Sequence, residues 1–441
     1  MEEAFPGKQS PVSVRLHRSA VPRRRWRIAW LLGLGVLVNY FDRVNLSVSH
    51  SALIASFGIS DITFGYLLGA YNWTYMLCQL PVGVVIDRWG VRKVGRISTV
   101  VWGVASFAAA AAQGIQGLFA ARFLLGVGEA PTFPADAKAV GAWFPPDERS
   151  FATSLFDTAS KFSSAIGVPL IGILLLHVGW RLSFAATGVI SLLYFVLFYF
   201  VYCEPEDDPK LSAEEFVFIR AQQDNHEVAR KATLGYLLRQ RKVIGLSLGF
   251  GSYNYVFYLL LTWLPSFLSQ SLHIDLLHSF VYTGVPWLIA SAMDLFIGGL
   301  LVDALVQRGW DANRVRLTVL VGGTALGLGI LGVAWSHTPA QALAWISLSI
   351  GGLSAAAPVG WSVPSLIAPR GSVGRVGGIL NLSNQISGIA APIITGYLVY
   401  ARHSFTAAFT VAGAYLVVGI CGYLFLLRDI HPIADEDAAA A

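Results

Sequence analysis

Charge is what this chain has least of. Only 13% of its 441 residues are Asp, Glu, Lys or Arg, too few to cover the surface of a soluble domain of that length. Cysteine is nearly absent: Cys78, Cys203 and Cys421 are odd in number and far apart, which excludes a disulfide framework. The nine histidines are scattered, with His403 and His431 in loops or tail, so no metal-ligand set is expected. No Walker loop or dinucleotide glycine pattern follows a strand, which argues against ATP-driven work. There is no evident nucleophile–base set, so no enzyme is expected, and no soluble segment large enough for a signalling domain, which counts against a sensor or receptor.

What fills the chain instead is apolar. Hydrophobic residues make up 55%, aromatics 12%, and the mean hydropathy is +0.60, the composition of a polytopic α-helical membrane protein. A crossing needs about 20 mostly apolar residues. Such runs occur at 28–50, 61–86, 94–112, 117–141, 151–176 and 181–202, then at 242–270, 279–302, 315–336, 341–367, 373–400 and 405–427. These are spans 1 to 12. The basic "RRRWR" before the first run has the look of a signal peptide. The run continues past any short signal core to Asp42 and Arg43, so it reads as a transmembrane helix. The expected fold is an all-α membrane protein: twelve transmembrane helices in two pseudo-symmetric six-helix bundles. The expected domains are a tail (1–27), a first bundle (28–202), a linker (203–241), a second bundle (242–427) and a tail (428–441).

Basic residues orient these spans. Of the 31 Lys and Arg, 25 fall in the two tails, the loops on the tail side and the span ends that adjoin them, two (Arg181 and Arg402) on the other side, and four (Arg43, Arg122, Lys138 and Lys161) deeper within spans. Cytoplasmic loops are the ones enriched in Lys and Arg, so both termini are expected in the cytoplasm of a plasma-membrane protein. The same count explains the net charge of +5 without nucleic acid. The linker begins acidic and then places Phe216, Ile219 and Val228 on one side of an amphipathic helix, which reads as a tether on the membrane surface.

The chain also repeats itself. "GVVIDRWGVRK" after span 2 corresponds to "GLLVDALVQRG" after span 8, pairing Gly83 with Gly299 and Asp87 with Asp303 at an offset of 216. "VPLIGILLLHVGWRLSFAATG" resembles "APIITGYLVYARHSFTAAFTVAG", pairing Pro169 with Pro392 at an offset of 223. Two homologous halves suit a transporter with its site at their interface.

The loop after span 2 resembles the G-x-x-x-D-R-x-G-R-R/K signature of the major facilitator superfamily, with Val91 where the pattern prefers Arg. "NYFDRVNLS" in span 1, "RFLLGVGEAPTFPADAKAVGAWFPPDERS" around span 4 and "LTWLPSFL" in span 7 resemble its anion:cation symporter branch, which includes proton-coupled carriers of hexonates and hexuronates. The resemblance implies proton-driven uptake of an organic anion by alternating access, with the proton as coupling ion and no other cofactor. The expected partners are that small anion, protons and the lipid bilayer, the protein acting as a monomer. An aromatic or dicarboxylic acid is the alternative substrate. It implies gating by Gly83, Asp87, Arg88, Gly90 and Asp303, with Arg149 a candidate partner for Asp87; a basic loop that merely fixes orientation is the other reading.

Buried charge is the sharpest signal. Each ion at mid-bilayer costs about 2.5–3.5 kcal/mol on insertion scales, yet spans 1, 4 and 5 hold Asp42, Arg43, Arg122, Glu129, Asp136, Lys138, Asp157 and Lys161. The second half has one clear counterpart, Asp294 in span 8. Arg122 and Glu129 are two helical turns apart and share a face, with Asp136 continuing that stripe. Pro131 and Pro134 should bend the helix beside it. Asp42 and Glu129 are the candidate proton carriers; pairing of Glu129 with Arg122, and of Asp42 with Arg122 or Lys161, are the static alternatives. Arg43 is the expected anion anchor, pointing about 100° away from Asp42 around the helix. Lys161 either pairs with Asp157 one turn earlier or binds an anion. Arg122 and Asn384, the repeat counterpart of Lys161, are further expected substrate contacts; the resemblance adds Asn381 and also Tyr40, Tyr75 and Trp361, whose other reading is as packing aromatics of the bundle. Asp294 is left between helix packing and a site role.

Overall fold

The computed structural model describes residues 22–220, 232–272, 274, 276–336, 338–370 and 372–436. Among the described residues the chain is helix and turn with no strand, as lipid demands of a backbone that must satisfy its own polar groups. Span 1 is Arg24–Val48, followed by a short helix, His50–Phe57. Spans 2 and 3 share the run Asp61–Ala111, turned at Gly90 (φ 76°, ψ 164°). Span 4 is two pieces, Ile115–Glu129 and Thr132–Trp143. Spans 5 and 6 share Pro146–Val201, turned at Gly179 (φ 78°). Span 7 is Arg241–Ser271. Span 8 runs from Leu276–Met293 through the π-helical Asp294–Leu301 into Val302–Gln307. Span 9 is Ala312–Gly327 tightening into Leu328–Trp335; spans 10 and 11 are Pro339–Ile367 and Val373–Arg402. Span 12 is Thr406–Cys421 with a final π-helical turn, Gly422–Leu427. These are the twelve expected helices in two bundles of six.

Among the described residues seven helices are long and apolar enough by composition alone to cross a membrane. One of the seven holds spans 5 and 6 together; spans 1, 2, 4 and 11 fall short because they carry the charges and amides, or are broken or bent. The most apolar stretches of spans 7 and 10 are 83% and 72% buried, against 28% for span 8, so spans 7 and 10 run through the interior. The halves meet where span 11 packs on span 2 and span 8 on span 5.

One end of this seam is closed by backbone. A Cβ on Gly65 would lie 2.7 Å from the Pro392 carbonyl, one on Gly396 2.6 Å from that of Asp61, and one on Gly284 2.5 Å from that of Ala165. His50 bonds Asp61 at 3.0 Å and Gln270 of span 7 at 3.2 Å, while Ser47 donates to the Thr262 carbonyl at 2.6 Å. Tyr66 and Tyr397 share a hydroxyl contact of 3.2 Å.

The opposite end carries both tails and the linker. Arg24 bonds Asp208 at 2.9 Å, and Arg25 reaches Glu148 at 2.7 Å and Glu215 at 2.9 Å. The Arg25 guanidinium also stacks 5.0 Å from the Phe218 ring. Farther on, Ala232 donates to Ser372 at 2.8 Å and Thr233 to Glu436 at 2.7 Å. The described part of the linker therefore docks on the protein: its Asp208 and Glu215 pair with span 1 arginines, and the helix Ala213–Arg220 buries Glu215, Phe218 and Ile219. Phe216 is half-buried, and Val228 lies outside the described residues.

Candidate transport site at the bundle interface

The first site forms where span 4 breaks. Pro131 cannot donate to the helix and Pro134 leaves the carbonyl of Ala130 without its i+4 donor, so the helix stops at Glu129 and resumes at Thr132. Glu129, at this end, turns to span 1: its Oε2 accepts from Arg43 Nε at 2.9 Å, both side chains being buried. Three rings enclose the guanidinium, Tyr40 at 4.3 Å, Tyr71 at 4.7 Å and Tyr75 at 5.6 Å from centroid to Cζ, an arrangement that favours a cation. Among the described residues Glu129 Oε1 and Arg43 Nη2 have no hydrogen-bond partner. A bidentate arginine–carboxylate pair is therefore half-made, leaving one acceptor and one donor for an exchanging group.

Arg122 approaches from the other side of Tyr71, 5.6 Å from its ring, and donates to the backbone carbonyl of Asp42 at 3.3 Å. The Asp42 carboxylate points into its own bundle, accepting from Ser106 of span 3 at 2.6 Å and Ser191 of span 6 at 3.1 Å. Asp42 and Arg43 thus diverge, as helix geometry requires. The static alternatives do not form: Glu129 bonds Arg43 in place of Arg122, and Asp42 bonds hydroxyls in place of Arg122 or Lys161. Asp136 lies beyond the break, on the second piece of span 4. It lines a cavity of about 20 Å³ with Ser98, Trp102, Thr132 and Tyr194.

Lys161 forms the second site. It bonds Asp157 at 2.9 Å and also pairs with Asp294 of span 8, across the interface between the halves. The intrahelical pair is the one spacing suggests; Asp294 gains a partner that its sequence neighbourhood does not reveal.

Amides supply the rest. Asn384 Oδ1 accepts from Asn254 of span 7 at 2.8 Å, and Asn381 donates to Gln79 of span 2 at 3.2 Å. Trp361 is half-exposed, its ring edge-on to Phe250 at 5.0 Å. Sequence reading missed Tyr71, Gln79, Asn254 and Tyr258. Tyr71 stands one helical turn from Tyr75, and Gln79 and Asn254 are amides in apolar runs, which is the signal that marks them; Tyr258 offers none in sequence and lies within electrostatic range of Arg43 from span 7.

The expected gate lies at the tail end. Gly90 makes the turn between spans 2 and 3, where Glu204 accepts from Arg92 N at 3.2 Å. Arg88 and Asp303 are exposed, and a Cβ on Gly83 would meet nothing within 4 Å. Arg149 donates to the carbonyls of Phe144 and Gly141, both at 3.0 Å, capping the end of span 4. The side chain of Asp87 lies outside the described residues.

This architecture is matched by known proteins. The family model described as Major Facilitator Superfamily matches residues 32–392. The chain is similar to the "Uncharacterized transporter YybO" of Bacillus subtilis, at 39% identity over 93% of this chain and 95% of that one. It is also similar to the "Probable galactarate/D-glucarate transporter GarP" of Escherichia coli, at 32% identity over 92% and 95%. The solved D-xylose-proton symporter shares the fold with a TM-score of 0.71 at 17% identity, over 92% of this chain and 97% of that one. Twelve helices, two repeated halves and buried charges at their seam accord with these matches: the chain is a membrane transporter belonging to the Major Facilitator Superfamily.

Proposed function

We propose that this transporter carries a sugar acid into the cell together with protons, by alternating access between the bundles 28–202 and 242–427. The supporting observation is the buried Arg43–Glu129 pair, with one unpartnered atom on each side chain. An ionised Glu129 occupies Arg43. A proton on Glu129 cancels its claim on the guanidinium, and the substrate carboxylate takes the vacated place. Loading one proton with one carboxylate leaves the charge of the site unchanged, so the filled carrier can reorient without extra buried charge. Unloading reverses the exchange. Asp42 is the second proton carrier in this reading, and Arg122, behind Tyr71, adds positive potential toward the same anion.

Tyr40, Tyr75, Asn381 and Asn384 are the proposed partners for the sugar hydroxyls, and Trp361 the apolar platform. Hexonates and hexuronates fit one anchoring arginine among amides and phenols. A dicarboxylic acid is the second reading, favoured by Lys161, a buried cation at the same seam; the name of the GarP relative agrees with it. Both tails are proposed to face the cytoplasm of a monomer in the plasma membrane. The charge asymmetry of the loops supports this, as does the common end at which the tails and linker dock. Gly83, Asp87, Arg88, Gly90, Arg149 and Asp303 are proposed to gate that end.

The test is uptake of labelled acids by proteoliposomes with and without an inward proton gradient. Uptake indifferent to the gradient would remove proton coupling. Glu129→Gln should abolish accumulation while preserving exchange of labelled for unlabelled substrate; retained accumulation would take the coupling role from Glu129. Arg43→Ala should raise KM by about tenfold or more, the worth of a charge-assisted bond.

A further inference from the structure

We infer that Lys161 and Asp294 form a second exchange site, which takes a carboxylate at the opposite end of the substrate from the one held by Arg43. The transported sugar acid is then a diacid. This rests on the sugar-acid reading above and names its substrate class.

Lys161 is 1% exposed and wedged between two carboxylates, Asp157 on its own helix and Asp294 on the opposite bundle. Two acids on one base leave an uncompensated negative charge at the seam, a poor arrangement for a purely structural contact. Asp294 opens the π-helical stretch Asp294–Leu301, where an extra residue in the turn moves side chains off the regular helical register, a feature frequent at functional sites. Among the described residues its carboxylate has no hydrogen-bond donor beyond the Lys161 ammonium. The Asp157 side chain is 17% exposed, so the cluster is open on that side.

The other surroundings of Asp294 contain few ionisable groups. Span 7 contributes Tyr253, which lies within electrostatic range of Lys161, Asp157, Asp294 and also Tyr40. Span 10 packs on the π-helical stretch and has no ionisable side chain anywhere in Pro339–Ile367. Tyr40 in turn lies beneath the Arg43 guanidinium. Each cationic site thus has a phenol near it, Tyr40 at Arg43 and Tyr253 at Lys161, suited to the hydroxyls of a short polyol chain with a carboxylate at each end.

The exchange balances as it does at Arg43. A proton from water adds to one Asp294 oxygen, giving a neutral carboxyl. The Lys161 ammonium keeps Asp157 and turns its freed N–H to the incoming carboxylate, so one negative charge replaces another. No other bond changes, and the net charge of the cluster is the same before and after. Each carboxylate thus enters with its own proton. Because Asp294 and Lys161 belong to different halves, the same exchange removes a tie between the bundles.

The test compares labelled galactarate, a diacid, with galactonate, its monoacid counterpart, in proteoliposomes of the full chain under a fixed inward proton gradient. The wild type should prefer galactarate. Lys161→Gln should lower the galactarate-to-galactonate uptake ratio about ten- to a hundredfold, and Lys161→Arg should restore most of it. Asp294→Asn should reduce the protons moved per galactarate by one, read with a pH dye, and this variant keeps the side-chain shape if Lys161→Gln does not purify. An unchanged ratio in Lys161→Gln, or an unchanged proton count in Asp294→Asn, overturns the inference. A wild type that carries galactonate and rejects galactarate overturns it while sparing the sugar-acid reading; one that carries neither overturns both.

Discussion

Asn381 of span 11 donates to Gln79 of span 2 at 3.2 Å, and the amide nitrogen of the same Gln79 lies 3.4 Å from the carbonyl of Ala130. That carbonyl is the one Pro134 leaves without a helical donor. A single glutamine thus patches the break in span 4 and ties it to the opposite bundle.

Replacing Gln79 with Leu should remove both functions. Ala130 would lose its donor, at a cost of about 1–3 kcal/mol, and Asn381 its acceptor. The expected outcome is a lower melting temperature and a Vmax for uptake reduced about tenfold, measured on purified protein and in proteoliposomes. Wild-type rates would show that Gln79 merely fills space.

His50 should hold the end away from the tails. Its ring joins Asp61 and Gln270, with Phe64 and Trp263 edge-on at 4.4 and 5.4 Å. In a background without Cys78, Cys203 and Cys421, a cysteine at Ser47, 1% exposed, should react slowly with a membrane-impermeant maleimide. His50→Ala should speed that reaction by about tenfold, equivalent to shifting the closed–open balance by about 1.4 kcal/mol. An unaltered rate would remove His50 from the closure.

The turns at Gly90 and Gly179 separate backbone strain from crowding. Both combine positive φ with ψ near 164–169°, a region that costs a residue with a Cβ about 1–3 kcal/mol. A Cβ at Gly179 meets nothing within 4 Å, whereas one at Gly90 lies 3.3 Å from Glu204 Oε1. Alanine at either should lower thermal stability, and more at Gly90. Equal effects in a thermal-shift assay would mean that Glu204 yields freely.

Glu215 should anchor the linker. It is fully buried and accepts from the Arg24 and Arg25 backbone N–H groups at 3.0 and 3.1 Å as well as from the Arg25 guanidinium. Glu215→Ala leaves those donors unmet, costing about 1–3 kcal/mol. Trypsin should then cut after Lys210 or Arg220 faster than in the wild type; an unchanged rate would mean that Asp208 and Arg24 suffice to hold the segment.

Much of the architecture is legible in the sequence because it depends on local rules. Apolar runs place the helices, glycine marks the turns at Gly90 and Gly179, and paired prolines mark the break in span 4. The divergence of Asp42 from Arg43 follows from residue spacing. What spacing does not give is which base meets which acid on another helix. Glu129 and Arg122 share a face of one helix, yet Glu129 meets Arg43 because span 1 docks against it, which is a matter of tertiary packing. Lys161 meets Asp157 by spacing and Asp294 only because two bundles dock. Glu215 meets the arginines of span 1 only because the linker folds back on the first bundle.

The glycines at the closed end have a consequence for the ease of switching. Where Gly65 faces Pro392, Gly396 faces Asp61 and Gly284 faces Ala165, backbone meets backbone, and no long side chain must be fixed in one rotamer as the bundles come together. Ordering such side chains costs up to about 2 kcal/mol each. At these three contacts the glycines avoid that entropy loss on every closure, which offsets the ordering of His50, Gln270, Tyr66 and Tyr397 at the same end and helps the two arrangements stay close in free energy. A carrier needs that near-balance if the binding of one small solute and its protons is to decide which way it faces.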